Sequence, residues 1–455
     1  MTVLFFVAAA ALAFSILYDP ERACVYGVAS VLATTVLYPK LLTSPGMFRH
    51  IGISGSEPAV TTYALVIAVL ILLAAPAAGR LSDARVVGPL LLWVVVGSLF
   101  FWPHTSEVRA GVFQYGTGVL AWILGFRFSR ELIRRPELIR LVSFAIATVM
   151  AAELAVVSLQ FAGFPVNPME TAAAEILSGR LNGTMGHPND LGKVTLLLAA
   201  LSLALSRGSD SRVRFANRFT IGAALAIAVA TEGRVVIASI VALVVVWALI
   251  QPRDQAPLSR RFAMLSAAAL GAMASASVII ARFAEDPTGG VRSTTRDVAR
   301  QQISENPFPG IGPNTYVSTV GTYDSLTASG VPVHNAALLS FAELGVVGFV
   351  TLFAPLCWII CRAMFRRGVP GFGGSFAAAL VALAPGLIMI GATGWGILAG
   401  SMFPLAMFVL AFLHQPNADL RNPRGRTRAS LRQRVEGASP STHTRALRHE
   451  PQGKP

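Results

Sequence analysis

The 455 residues are 54% hydrophobic and only 13% charged, a composition that excludes both an ordinary soluble domain and a disordered chain. The formal charge of +14 does not point to nucleic acid, because almost all basic residues fall in short stretches between apolar runs or in the C-terminal tail. The apolar runs are about 16 to 25 residues long, enough to cross a hydrocarbon core, so an all-α, polytopic transmembrane helical bundle of about 12–13 spans is expected.

Spanning helices are predicted near residues 3-18, 24-42, 59-78, 86-102, 110-127, 138-163, 191-206, 216-231, 235-251, 262-281, 335-361, 371-390 and 394-413. The first lacks a basic leader and is read as a retained helix. Cys24, Cys357 and Cys361 lie in or beside these runs. The Cys-x-x-x-Cys pair lacks the other ligands of a zinc site, so neither metal nor disulfide is expected. Short basic loops stay cytoplasmic, here Arg127 to Arg140, Arg207 to Arg218, Arg253 to Arg261 and Arg362 to Arg367, and the loops between them then face outward. Two outward segments, 164–190 and 282–334, are too long to be mere connectors and are where function is expected. From His414 onward the tail carries nine Arg or Lys against three acids with little to bury. It is expected to be disordered, cytoplasmic and drawn to anionic headgroups.

The first polar constellation is Arg180-Leu181-Asn182-Gly183-Thr184-Met185-Gly186-His187-Pro188-Asn189-Asp190, which ends where an apolar helix begins. Asn189 or Asp190 is expected to cap that helix. The helix start and Arg180 also suit an anion, although a capped turn ordered by Gly and Pro explains the same residues. The second is Thr231-Glu232-Gly233-Arg234, the tip of a hairpin between two apolar helices. A guanidinium there is costly unless it pairs with Glu232 or faces a polar cavity.

Farther on, Arg292, Arg296 and Arg300 are spaced i, i+4, i+8, so a helix aligns them in one stripe. Such a face can grip a diphosphate or simply reach headgroups and solvent. Asn306-Pro307-Phe308-Pro309-Gly310-Ile311-Gly312-Pro313 ends that helix, and its glycines permit close backbone approach. His334 follows where polar chain re-enters an apolar run. An unperturbed imidazole, with a pKa near ~6.5, suits proton transfer at neutral pH, while a structural hydrogen bond is the plainer role. Glu343, nine residues on, would face away from His334 on one straight helix and is read as a packing partner.

These elements in this order resemble the O-antigen ligase and polymerase family. The matching residues are Gly183 through Asn189, Arg234, Arg292 through Gly312, and His334-Asn335 with Glu343 and Gly345. The resemblance covers residues 180 to 350; the first 160 match only as a hydrophobic profile. It departs at Gly233, where the family often has Ser, and at Arg296, where the family has Trp.

The resemblance implies a membrane glycosyltransferase that takes glycan from a polyprenyl diphosphate-linked donor at the outer face of the cytoplasmic membrane, without cofactor, nucleotide sugar or metal. The acceptor would be a glycan, lipid or protein hydroxyl. By the same resemblance, Arg234 and Arg292 or Arg296 hold the diphosphate and His334 is the base. Arg180, His187, Asn189 and Asn335 complete the substrate-binding set. Residues 1–163 would then be N-terminal helices, 164–413 the catalytic core and 414–455 the tail. A transporter or channel, or a noncatalytic subunit of a glycan-assembly complex, is the alternative. The clustering of polar residues outside the midplane speaks against transport. The oligomeric state is not legible.

Overall fold

In the computed structural model the described residues are 85–135, 137–166, 180–206, 210–251, 258–285, 292–330, 332–369, 371–398 and 402–414. The spans expected at 3-18, 24-42 and 59-78, and the tail beyond His414, lie outside the described residues. Within them the chain is all-α and without a strand. In order the helices are α1 (Gly88–Phe100), α2 (Ser106–Arg134), α3 (Leu138–Phe161), α4 (Pro188–Leu205), α5 (Ser211–Ala230), α6 (Arg234–Ile250) and α7 (Leu258–Glu285). They continue with α8 (Arg292–Glu305), α9 (Tyr316–Val320), α10 (Ser325–Ala328), α11 (Ala336–Arg366), α12 (Phe372–Ala392) and α13 (Met402–Leu413). Five of them, α3, α4, α5, α11 and α12, are long and apolar enough to cross a membrane, and α1, α6 and α13 are shorter apolar helices. The chain is a polytopic helical membrane protein.

Two expected spans differ from a single straight helix. The one placed at 335-361 runs to Arg366 and is broken at Gly345, whose φ of 66° and ψ of −176° are not helical. The one placed at 394-413 is split. Gly396 turns left-handed (φ 55°) into a 3-10 turn, Gly396–Leu398, and α13 begins only at Met402.

At the centre, α12 packs against α4, α6 and α11. A Cβ on Gly386 would stand 3.0 Å from Leu196 and 3.3 Å from Ser239, and one on Gly192 would collide with Val236. Small residues thus let these helices approach closely, which is how helices associate where lipid gives no hydrophobic drive. The contacts also fix direction. The starts of α4 and α6 lie level with the end of α12, and the Asn335 amide reaches the Ala392 carbonyl there at 3.4 Å. Ser375 at the start of α12 donates to the Ala204 carbonyl at the far end of α4, 2.9 Å away.

The basic stretches gather at that far end. Arg261 donates to the Gln251 carbonyl (2.6 Å), and Arg362 lies over the Trp358 ring at 5.2 Å. His414 is buried between the rings of Trp358 and Trp122, at 5.7 and 6.1 Å. Burial, then the neighbouring Arg362 and Arg366, pushes its imidazole down to about 4. One end of the bundle therefore carries the positive charge, and the other carries the polar constellations.

Candidate functional site

The constellation at 180–190 is held by side chains of α3. Gln160 makes five hydrogen bonds: its Oε1 accepts from the Asn182 and Gly183 amides (3.2 and 3.0 Å), and its Nε2 donates to Val166 O, Asn182 Oδ1 and Gly183 O (2.8, 2.5 and 3.2 Å). Glu153, fully buried on the same face about two turns earlier, accepts from the Thr184 amide at 3.0 Å and from its hydroxyl. Gly183 must be glycine, because its φ is 57° and a Cβ would strike the Glu153 carboxylate. An acid in an apolar run is rare unless it has a partner or a task. That rarity was the signal in the sequence for Glu153 and Gln160, which the motif reading passed over.

The helix cap is not Asn189 or Asp190. Pro188 occupies the first helical position, where its missing N–H costs nothing, so the cap falls one residue earlier. His187 takes it, with extended backbone and Nδ1 accepting from the Asn189 amide at 3.1 Å. Burial holds the His187 imidazole below its usual range, with Lys193 and Arg180 acting in the same direction and Asp190 against. Asp190 instead pairs with the buried Lys193 at 2.8 Å.

Arg180 joins the first constellation to the second. Its Nε donates to the Thr231 carbonyl and its Nη2 to Asn189 Oδ1, both at 2.8 Å. Thr231 closes α5, Glu232 turns left-handed (φ 50°), and Gly233 precedes Arg234, the half-buried first residue of α6. A Cβ on Gly233 would lie 3.5 Å from Arg180 Nη2. Arg180 and Arg234 thus stand at one hairpin tip, beside His187 and Asn189.

The arginine stripe lies on α8, which packs on α11 through Thr295, Ala299 and Gln302. Arg296 and Arg300 are exposed on the other face, and Arg300 pairs with Asp297 at 3.2 Å. Arg292 opens this helix, and its side chain lies outside the described part.

The turn that follows is tied to the break in α11, backbone to backbone. A helix broken at Gly345 leaves the preceding carbonyls without their usual donors, and in a bilayer the protein must supply replacements. Ile311 N donates to Ala342 O (3.0 Å), Gly312 N to Glu343 O (2.8 Å), and the Trp93 indole to Leu344 O (2.9 Å). In return Val346 N donates to Pro307 O at 3.0 Å. Gly310 and Gly345 pack face to face, with φ of 82° and 66°, so close that a Cβ on either meets the other's backbone.

His334 stands just ahead of α11, half-buried, its ring tilted against Trp395 at 5.3 Å. Asn335 caps α11, its Oδ1 accepting from the Ala337 and Leu338 amides at 3.0 Å. That use is structural and absent from the sequence expectation of a substrate ligand. Trp395 also escaped that reading, because it becomes a neighbour of His334 only when the α12–α13 connection folds back. His334 shares the end of the bundle with Arg180, His187 and Arg234, since Ala336 packs beside Gly391 and Gly396 at the end of α12.

Among curated proteins no sequence matches the chain. Residues 219–353 match the O-antigen ligase family, a stretch that holds the Arg234 hairpin, the arginine helix, His334 and the break at Gly345. Residues 219–353 of this membrane protein therefore carry an O-antigen ligase domain, which supports an O-antigen ligase/polymerase-like family.

Proposed function

We propose that the protein is a glycosyltransferase that moves glycan from a polyprenyl diphosphate-linked donor to an acceptor hydroxyl at the outer face of the cytoplasmic membrane. The observation that carries this reading is the O-antigen ligase match over residues 219–353, which encloses both the hairpin arginine and His334. The grouping of Arg180, Arg234, His187 and His334 at the end of the bundle away from the basic loops supports it. In this reading 164–413 is the catalytic core, and the basic end faces the cytoplasm.

The chemistry follows from charge. Breaking the bond between the anomeric carbon and the diphosphate leaves negative charge on phosphate oxygens, and guanidinium groups already aimed there lower the barrier. Arg234 and Arg292 or Arg296 take that role. His334 accepts the proton of the acceptor hydroxyl as its oxygen bonds to the anomeric carbon. Attack opposite the leaving group inverts that carbon, and neither metal nor cofactor takes part. Arg180 and Asn189 hold the hairpin in place beneath the diphosphate.

The test is transfer in liposomes with purified lipid-linked donor. Arg234→Ala and Arg292→Ala are expected to cripple transfer while the protein stays in the membrane. His334→Ala should lower it by about 10²- to 10⁴-fold with donor binding retained. Chelators should leave the rate unchanged. Full activity of His334→Ala would overturn the base assignment, and full activity of both arginine variants would overturn the diphosphate grip.

A further inference from the structure

We propose that Glu343 is a positioning residue of the transfer site, a clamp that fixes the arginine helix α8 relative to His334; this rests on the functional reading above. Glu343 is 2% exposed on the short stretch of α11 between His334 and the break at Gly345. Three alternate backbone amides of the turn after α8 converge on this one residue. Gly312 N donates to its carbonyl at 2.8 Å, Tyr316 N donates to its carboxylate Oε1 at 3.3 Å, and Asn314 N also bonds the carboxylate.

The turn is shaped for this. Gly312 and Asn314 are left-handed, with φ of 107° and 63°. Alternation of left-handed and ordinary residues curls successive N–H groups inward into a concavity that binds an anion. In this fold a side-chain oxygen of the protein's own Glu343 occupies that concavity. The turn follows directly from the last residue of α8, Glu305, and Pro307 and Ile311 are bonded to the same break, so little slack separates the arginines from the clamp. On the other side, about two and a half helical turns separate Glu343 from His334. The carboxylate therefore sets the span between the groups that would hold the donor and the one that would take the acceptor's proton.

A direct role in proton transfer fits less well. The carboxylate is sealed beneath the turn, and its Oε2 is buried, as is the hydroxyl of Tyr316, neither with a hydrogen-bond partner among the described residues. Burial foremost, with Tyr323, Asp324 and Glu343 adding to it, pushes that tyrosine hydroxyl far up, so the tyrosine holds its proton.

The experiment is transfer kinetics in liposomes with purified lipid-linked donor, comparing the unmutated chain with Glu343→Gln, Glu343→Asp and Glu343→Ala, each checked by its melting temperature in detergent. Gln keeps an acceptor oxygen at the same reach and should hold kcat within about tenfold. Ala releases the turn and should lower kcat about 10²-fold, the scale of a misplacement of about 1 Å, with the donor KM changed far less. If Ala does not fold, the order of the other two decides. A clamp needs length, so Gln should exceed Asp, whereas a role for the charge itself puts Asp above Gln and overturns the proposal. Ala with full kcat also overturns it, as does Gln as inactive as Ala at an unchanged melting temperature. An unmutated chain that transfers nothing removes the functional reading, and the clamp's role in transfer with it.

Discussion

The two irregular segments at the polar end of the bundle, 180–190 and 306–316, meet one demand by opposite means. Chain that leaves helical geometry near a membrane must find hydrogen-bond partners within the protein. The first segment finds them in side chains, Gln160 and Glu153 of an unbroken α3. The second finds them in backbone, which requires α11 itself to break at Gly345 and expose its carbonyls. A side-chain anchor fails in steps, one hydrogen bond at a time. A backbone anchor depends on two glycines that nothing else can replace.

The largest expected effect tests that second half. Gly345 sits at φ 66° and ψ −176°, a region open essentially to glycine alone. Gly345→Ala should cost about 1–3 kcal/mol from backbone strain, with added collision against Pro309, 2.5 Å from the new Cβ. The melting temperature in detergent should fall sharply and transfer should be lost. Near-normal stability would mean that the turn and the break are not one unit.

Next comes Gln160→Ala, which removes five hydrogen bonds and strips the Asn182 and Gly183 amides of their acceptor. Each buried group left unmet costs about 1–3 kcal/mol. Gln160→Glu keeps the acceptor without the donor and should fall between Ala and the unmutated chain. An equal loss in both variants would contradict the graded anchor.

His187 sharpens the comparison through pH. Its folded-state pKa is depressed, chiefly by burial, so the native state favours the neutral ring. Its contribution is present above the unfolded value near ~6.5 and is lost as pH falls toward the depressed folded one, because the unfolded chain takes up the proton first. His187→Asn retains a capping side chain and should flatten the stability profile on the acid side of that value. His187→Ala should lose about 1 kcal/mol at neutral pH as well. An acid limb unchanged in the Asn variant would assign it to another group.

The smallest effect is expected at Arg300, whose side chain is 64% exposed and paired only with the equally exposed Asp297. Arg300→Ala should change stability by about 0–1 kcal/mol and transfer only mildly. A loss as large as that of Arg234→Ala would place the donor along the whole stripe of α8.

Much of the molecule was legible beforehand for a simple reason. Bilayer-length apolar runs have few folded states open to them, so α1 to α7, α11 and α12 lie close to where hydropathy puts them. Arg234 and His334 stood out because polar groups next to such runs are rare. Glu153 and Gln160 were equally visible by that criterion, yet their partners lie 22 to 31 residues ahead and no local pattern names them. The cap of α4, His187, lies two or three positions before the expected Asn189 or Asp190, because Asn and Asp are the commoner caps and Pro188 overrode that preference.

The sequence by itself determined the helical class, the separation of basic from polar ends and the identity of the titratable groups, since all three depend on composition and spacing along the chain. Only the tertiary structure decided that Arg180 bonds the Arg234 hairpin, that α11 breaks at Gly345, and that Glu343 fills a concavity of backbone amides. Each is a contact between residues distant in sequence. Each also involves a left-handed backbone, at Glu232 in the first, Gly345 in the second, and Gly312 and Asn314 in the third, a conformation that the surrounding fold selects.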